Sequence, residues 1–202
     1  MILDAIKQEM ADMVRSYHAK GWSAATSTNY SFKTEDGQIW VSRSGVDKSQ
    51  FSATDFITVD EEGKSCDDYE GVRPSAETLI HCILYQLYPN LRYIVHAHGL
   101  HSVVLSSLLT DAIAFEGYEI QKGFWGQTTH EATVSIPIFD NDQDMVRFAE
   151  VIKANTNKLD NGAFIMRKHG SYAWGTTLME AKRHLETLEY LCEAEYMKKL
   201  IR

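Results

Sequence analysis

The sequence predicts an α/β fold built on a largely antiparallel sheet, and three observations carry that reading. Stretches with apolar residues at helical spacing are interspersed with short alternating or apolar runs. The two kinds do not follow the strict strand–helix–strand alternation that a parallel sheet needs. No repeat, low-complexity tract or linker interrupts them, so residues 1–202 are expected to form one domain.

Leu3, Ile6, Met10, Met13 and Tyr17 recur every three or four positions, which predicts a core-facing helix over residues 2–19, stopped by Gly21. "NYSFKTEDGQIWVSRSG" (29–45) has two alternating runs around Asp36-Gly37, the dipeptide that supplies positive φ to a tight hairpin turn. "DFITVDEEGKS" (55–65) predicts a further strand and turn. Pro74 and Ser75 open a helix carrying Leu79, Ile80, Ile83, Leu84 and Leu87 that closes before Pro89. "IVHAHGLHS" (94–102) begins as a strand and "HSVVLSSLL" (101–109) is a short helix. "TVSIPIF" (133–139) predicts a strand, and "NDQDMVRFAEVIKAN" (141–155) a helix with Asp140 or Asn141 as N-cap. "GAFIMRKHG" (162–170) and "SYAWGT" (171–176) are the last two strands, and residues 176–200 a long helix whose Thr177 and Glu180 have capping-box spacing.

Composition is that of an ordinary globular chain, 44% hydrophobic and 24% charged, and names no function by itself. The formal charge of −8 argues against nucleic acid and against an anionic membrane surface, both of which need a basic footprint. Cys66, Cys82 and Cys192 show neither CxxC spacing nor an even count, which argues against a disulfide framework or a thiolate metal site and fits a reducing compartment. Acidic and polar residues inside the N-terminal apolar pattern exclude a signal peptide or membrane span there, so a cytoplasmic location is expected.

On a strand, side chains alternate between faces, so His96 and His98 point the same way. Two imidazoles aimed together are two of the three protein ligands of a catalytic zinc, although strand surface and satisfied polar core are competing readings. His169, at the end of an apolar strand and followed by glycine, is a third candidate. His18, His81, His101, His130 and His184 fall on helices or loops and read as structural, His101 and His130 least firmly. Of the carboxylates, Glu77 sits in the first turn of its helix, where dipole compensation is the plain explanation. Glu119, in the aromatic segment "FEGYEIQKGFWG", is expected to be buried with a raised pKa suited to acid/base work. The segments 26–31, 42–48 and 73–77 bring hydroxyls, Gly45, a helix start and the cations Arg43, Lys48 and Arg73, the means by which proteins hold phosphate without a Walker loop.

"RPSAETLIHCILYQLYP", "IVHAHGLHS" and "KHGSYAWG" together resemble the class II aldolase/adducin head family nearly end to end. The resemblance implies a three-layer α/β/α sandwich, one zinc ion per subunit held by His96, His98 and His169, and a homotetramer with active sites between subunits. Within that family, "SRSGVDK", "GYEIQKGFWG", "IPIFDNDQD" and "RKHGSYAWG" are most similar to a dehydratase branch. That similarity implies zinc-dependent dehydration of 5-methylthioribulose 1-phosphate in methionine salvage, with Glu119 as acid/base and with Asn29, Ser44, Gly45, Lys48 and Ser75 around a sugar-phosphate substrate. Glu77 matches the carboxylate that moves protons in the aldolases of the family, which leaves cleavage of a ketose 1-phosphate such as fuculose or rhamnulose 1-phosphate as the alternative. A non-enzymatic scaffold of the adducin kind has no need of three ligands and two carboxylates. The chain departs from the family in having Thr28 where a glycine commonly precedes the asparagine; if that position needs φ > 0, threonine strains the loop.

Overall fold

The computed structural model describes residues 1–201. Its elements run α1 (Ile2–Ala19), β1 (Asn29–Lys33), β2 (Ile39–Ser42), β3 (Phe56–Val59), α2 (Thr78–Leu87), β4 (Tyr93–Ala97), α3 (Leu100–Leu108), β5 (Ala112–Phe115), β6 (Val134–Phe139), α4 (Met145–Ala154), β7 (Ala163–Met166), β8 (Gly170–Gly175) and α5 (Leu178–Ile201). The eight strands form one sheet in the order β3-β2-β1-β4-β8-β7-β6-β5. Every neighbouring pair is antiparallel except β6 and β7.

The sheet is covered on both faces because its central strands are apolar on both. Tyr30, Phe32, Val95, Ala97 and Ala173 join the core beneath α1, α3 and α5. Ile94, Phe164, Tyr172 and Trp174, on the alternate positions, join a second core beneath α2 and α4. The result is an α/β fold of three layers. Leu185, Leu188 and Leu191 of α5 are fully buried, each contributing about 1.5–3 kcal/mol by leaving water.

The 29–45 hairpin turns at Gly37, φ +91°, with the Thr34 amide donating to the Gln38 carbonyl. Other boundaries differ from expectation. Helix α2 begins only at Thr78, with Glu77 as its N-cap residue and no side-chain capping bond, so Glu77 is outside the first turn and free to point elsewhere. The N-cap of α4 is Asp144, which accepts from the amides of Val146 and Arg147; Asp140 instead pairs with Arg167, and Asn141 bonds the Gln143 side chain. The sequence does not mark strand β5: four residues at the sheet edge, with Ile113 and Phe115 buried, give too short an alternation to read.

One acid is sealed inside the sandwich. Glu189 of α5 is buried, its carboxylate accepting from Ser102 Oγ of α3 at 2.8 Å and Ser171 Oγ of β8 at 2.6 Å. Burial pushes its pKa from 4.5 up to about 7, with the two serine bonds opposing. The folded protein therefore holds a proton that the unfolded chain has lost, so Glu189 contributes less stability as pH rises from about 4.5 to about 7. Buried His81 and half-buried His98, lowered to about 4, act in the opposite sense between about 4 and 6.5, but cancel in a comparison with Glu189→Gln. Relative to that variant, wild-type stability is expected to fall across the Glu189 window by about 3 kcal/mol, at about 1.4 kcal/mol per pH unit, and to level off above it. Chemical denaturation at a series of pH values measures this, and parallel curves would contradict it.

Candidate metal centre and active site

Strand register assembles the site. Asn29 of β1 pairs with His96 of β4, and His96 pairs with Tyr172 of β8, so the three form one row across the sheet. The row lies on the face of Ile94 and Trp174, under α2 and α4. His98, one residue past the end of β4, is held by its amide donating to the Trp22 carbonyl at 2.8 Å. His169 lies not on a strand but in the turn between β7 and β8, where Lys168 takes φ +57°. A non-glycine residue there is strained by roughly 1 kcal/mol or more, and the neighbours hold it. The Lys168 amide donates to Ser106 Oγ at 3.0 Å, and the Arg167 guanidinium binds the carbonyls of Ser106, Leu109 and Thr110 together with Asp140.

This folding brings one donor nitrogen from each of His96, His98 and His169 within 4.8 Å of one another. His96 is fully buried, stacks on Tyr172 with 4.0 Å between ring centroids, and donates from Nδ1 to the Ser171 carbonyl at 3.0 Å. Its Nε2 is thereby left as a lone-pair donor, the arrangement in which a backbone carbonyl orients a metal-binding imidazole. Burial lowers the pKa of His96 well below its usual value, and lowers that of His98 to about 4, so both rings are neutral, as ligation requires. Donor type, number and protonation all fit a divalent ion, and the open side of the cluster faces a cleft.

Glu77 closes the cluster. Its Oε1 lies 2.9 Å from His169 Nε2, and its Oε2 accepts from Tyr172 OH at 2.6 Å and from Asn29 Nδ2 at 2.8 Å, 3.3 Å from His96 Nε2. Burial alone would raise this carboxyl, but its hydrogen bonds with His169 and the tyrosine hydroxyl hold it below the usual carboxylate range.

Beside the histidines is a cleft of about 200 Å³ whose walls include Asn29, Arg43, Ser44, Gly45, Lys48 and Ser75 together with Glu77 and His98. Residues expected around a phosphate thus share one concavity with His98 of the cluster and with Glu77. Arg73 is not in its lining; that residue's carbonyl accepts the Ser44 amide instead. Lys48 is only 1% exposed, its ammonium held by the Val46 carbonyl at 3.2 Å, and burial brings its pKa down to about 8. Thr28, φ +75°, does occupy the left-handed region, as do Ala25 and Thr26, and a Thr28 hydroxyl bond to Ser23 Oγ at 3.1 Å helps hold the loop.

Glu119 departs from expectation. Its side chain is 76% exposed, and a hydrogen bond from Lys122 at 2.7 Å, rather than burial, sets its pKa, which is lowered and not raised. The aromatic neighbours that suggested burial turn away from it: Phe124 packs inward. Glu119 does not line the cleft beside the histidines in its own chain. His130 lies 3.7 Å from Glu119, and His101 packs at a tilt against Tyr196, so neither joins the cluster. Sequence reasoning missed Tyr172, whose place is legible only once β4 and β8 are paired.

Residues 8–196 match the profile of the class II aldolase and adducin N-terminal domain. The chain belongs to that family. Among curated relatives, a methylthioribulose-1-phosphate dehydratase of Picosynechococcus sp. is 48% identical over 196 residues, 95% of this chain and 92% of that one. The enzyme of the same name from Serratia proteamaculans is 43% identical over 185 residues, 90% of this chain and 89% of the other. Among solved structures, L-fuculose-1-phosphate aldolase from Thermus thermophilus superposes with a TM-score of 0.73 at 23% identity, covering 94% of this chain and 92% of that one. YgbL from Escherichia coli gives a TM-score of 0.82 at 22% identity over 98% and 91%. These likenesses show a shared fold.

Gly170 gives the cluster a sharp test. A Cβ there would lie 2.4 Å from the Ala97 carbonyl oxygen, 2.7 Å from the His98 ring and 3.0 Å from His96. Gly170→Ala is expected to displace both imidazoles and to lower divalent metal content as much as His96→Ala does, while Ser44→Ala leaves it unchanged. Metal analysis of folded, dialysed protein decides; full metal content in Gly170→Ala would place the ion elsewhere.

Proposed function

We propose that this chain removes water from 5-methylthioribulose 1-phosphate to give 2,3-diketo-5-methylthiopentyl 1-phosphate, a step of methionine salvage, with one zinc ion on His96, His98 and His169. The observation that carries this reading is that His98 of the three-imidazole cluster and Glu77, which contacts His169, stand in the wall of a cleft of hydroxyls, a glycine turn and a buried lysine. The dehydratases named above, similar over nearly the whole chain, support the choice of reaction.

When bound, the ion withdraws electrons from the substrate C2 carbonyl and makes the C3 proton acidic. The chain's residues do the rest. Ser44, Gly45, Ser75 and Asn29 surround the phosphate, and Lys48, with its pKa near 8, is driven to its charged form by the dianion. Binding energy from that remote group positions the reacting carbons. A carboxylate takes the C3 proton, the C4–O bond breaks, and the hydroxyl leaves as water on receiving a proton. The resulting enol rearranges to the 2,3-diketone.

We assign the acid/base role to Glu119, acting from a neighbouring subunit of a homotetramer whose active sites lie between subunits. Its exposure supports this, as do the exposed apolar residues around it. Ile120, Met179 and Tyr190, 44%, 72% and 58% exposed, line a separate groove of about 660 Å³, the kind of surface that a protein contact covers.

Metal-loaded protein is expected to form diketone from 5-methylthioribulose 1-phosphate and to leave fuculose and rhamnulose 1-phosphates intact; carbon–carbon cleavage of a ketose phosphate would overturn the reading. Glu119→Gln is expected to lower kcat by about 10²- to 10⁴-fold with metal content unchanged. Because cleft and base come from different chains, mixed tetramers of the inactive Glu119→Gln and His98→Ala proteins should regain activity. Failure of such mixtures, with exchange of subunits verified, would remove Glu119 from the shared site.

A further inference from the structure

Behind the cleft, away from the metal cluster, a chain of buried polar side chains runs from Glu77 into the sandwich. Asn29 Nδ2 bonds Glu77, Asn29 Oδ1 meets His81 Nε2 of α2, and His81 Nδ1 lies 2.7 Å from Ser31 Oγ, which lies 2.8 Å from Tyr85 OH. Asn29, Ser31, His81 and Tyr85 are each no more than 3% exposed, so water cannot substitute for a partner and each proton position is set by the next group.

We propose that His81 is a positioning residue: as the neutral Nε2–H tautomer it locks the Asn29 amide with its nitrogen toward Glu77 and the phosphate cleft. From Glu77 to Ser31 the proton logic allows one solution. Glu77 Oε2 already accepts the Tyr172 hydroxyl, so the Asn29 atom facing it is the NH₂ group and the atom facing His81 is the carbonyl oxygen. That oxygen needs a donor, so His81 carries its proton on Nε2. Its Nδ1 is then a bare acceptor for the Ser31 hydroxyl, and Ser31 Oγ accepts from Tyr85. Every donor in the chain points toward Glu77. Burial, which lowers the His81 pKa to about 4, is consistent with a neutral ring.

The consequence is electrostatic. Asn29 stands in the wall of the cleft; held this way it presents N–H to an anion, whereas a flipped amide would present a carbonyl oxygen to phosphate and to Glu77. Without His81 only the Glu77 carboxylate orients the amide, and the Asn29 carbonyl oxygen is left buried without a donor. The inference rests on reading the cleft as the seat of a phosphate, and the experiment separates the two.

In metal-loaded protein carrying ¹⁵N-histidine, long-range ¹H–¹⁵N correlations should show His81 neutral and protonated on Nε2; an Nδ1–H tautomer or an imidazolium overturns the proposal. This needs no variant. Binding of inorganic phosphate to the metal-loaded protein, measured by calorimetry, should weaken about tenfold in His81→Leu at unchanged metal content. It should return to within about threefold of wild type in His81→Gln, whose amide can donate to Asn29. Equal weakening in both variants would make His81 a packing residue and overturn the proposal. If wild type and Lys48→Ala bind phosphate alike, the cleft assignment has failed; if Lys48→Ala weakens binding while both His81 variants match wild type, only the His81 proposal has failed.

Discussion

The cross-strand row of Asn29, His96 and Tyr172 is the constraint on which the rest of the site depends. A one-residue slip of β4 against either neighbour would turn His96 into the core under α1, α3 and α5 and bring Val95 or Ala97 to the α2–α4 face. Both faces of β4 are buried, so a slip would also expose apolar surface to polar partners, and the register is held from both sides. Metal cluster, glutamate and cleft all follow from it. Tyr172 stacks on His96 and bonds Glu77, while Asn29 bonds Glu77 and borders the cleft.

Electrostatics then divides labour within a small volume. Imidazoles kept neutral by burial are ready to ligate, and a carboxylate kept ionised by the groups around it lies alongside them. A buried lysine with its pKa brought down to about 8 borders the same cleft. Isolated, each would be an expensive burial of a polar group; together they set neutral nitrogen donors, a carboxylate and a cationic group around one cleft.

Backbone strain is concentrated at the same place. Non-glycine residues with positive φ occur at Ala25, Thr26 and Thr28 beside the cleft and at Lys168 beside His169. The clamp of Arg167 on the end of α3 and the Thr28–Ser23 bond show where the compensating interactions lie. Strain at a binding loop is sustained when surrounding contacts over-determine the backbone.

What was legible in the sequence was local. Period-two alternation put His96 and His98 on one side, helical spacing found α1, capping-box spacing at Thr177 and Glu180 marked the start of the long α5, Asp36-Gly37 marked its turn, and the quoted motifs pointed to the family. Thr28 was recognisable as a residue at odds with a left-handed loop, and it does lie there. Pairings between residues far apart in the chain were decided only by the tertiary structure. The burial of His81 behind Asn29 spans 52 positions, and Glu77 meets Tyr172 across 95. His169 reaches the cluster from a strained turn rather than a strand, and Glu119 faces solvent despite its aromatic surroundings. A sequence pattern reports which face of its own element a residue occupies; which other residue stands opposite, and hence which proton or charge it meets, is set by strand order and register, and these exist only once the sheet has closed.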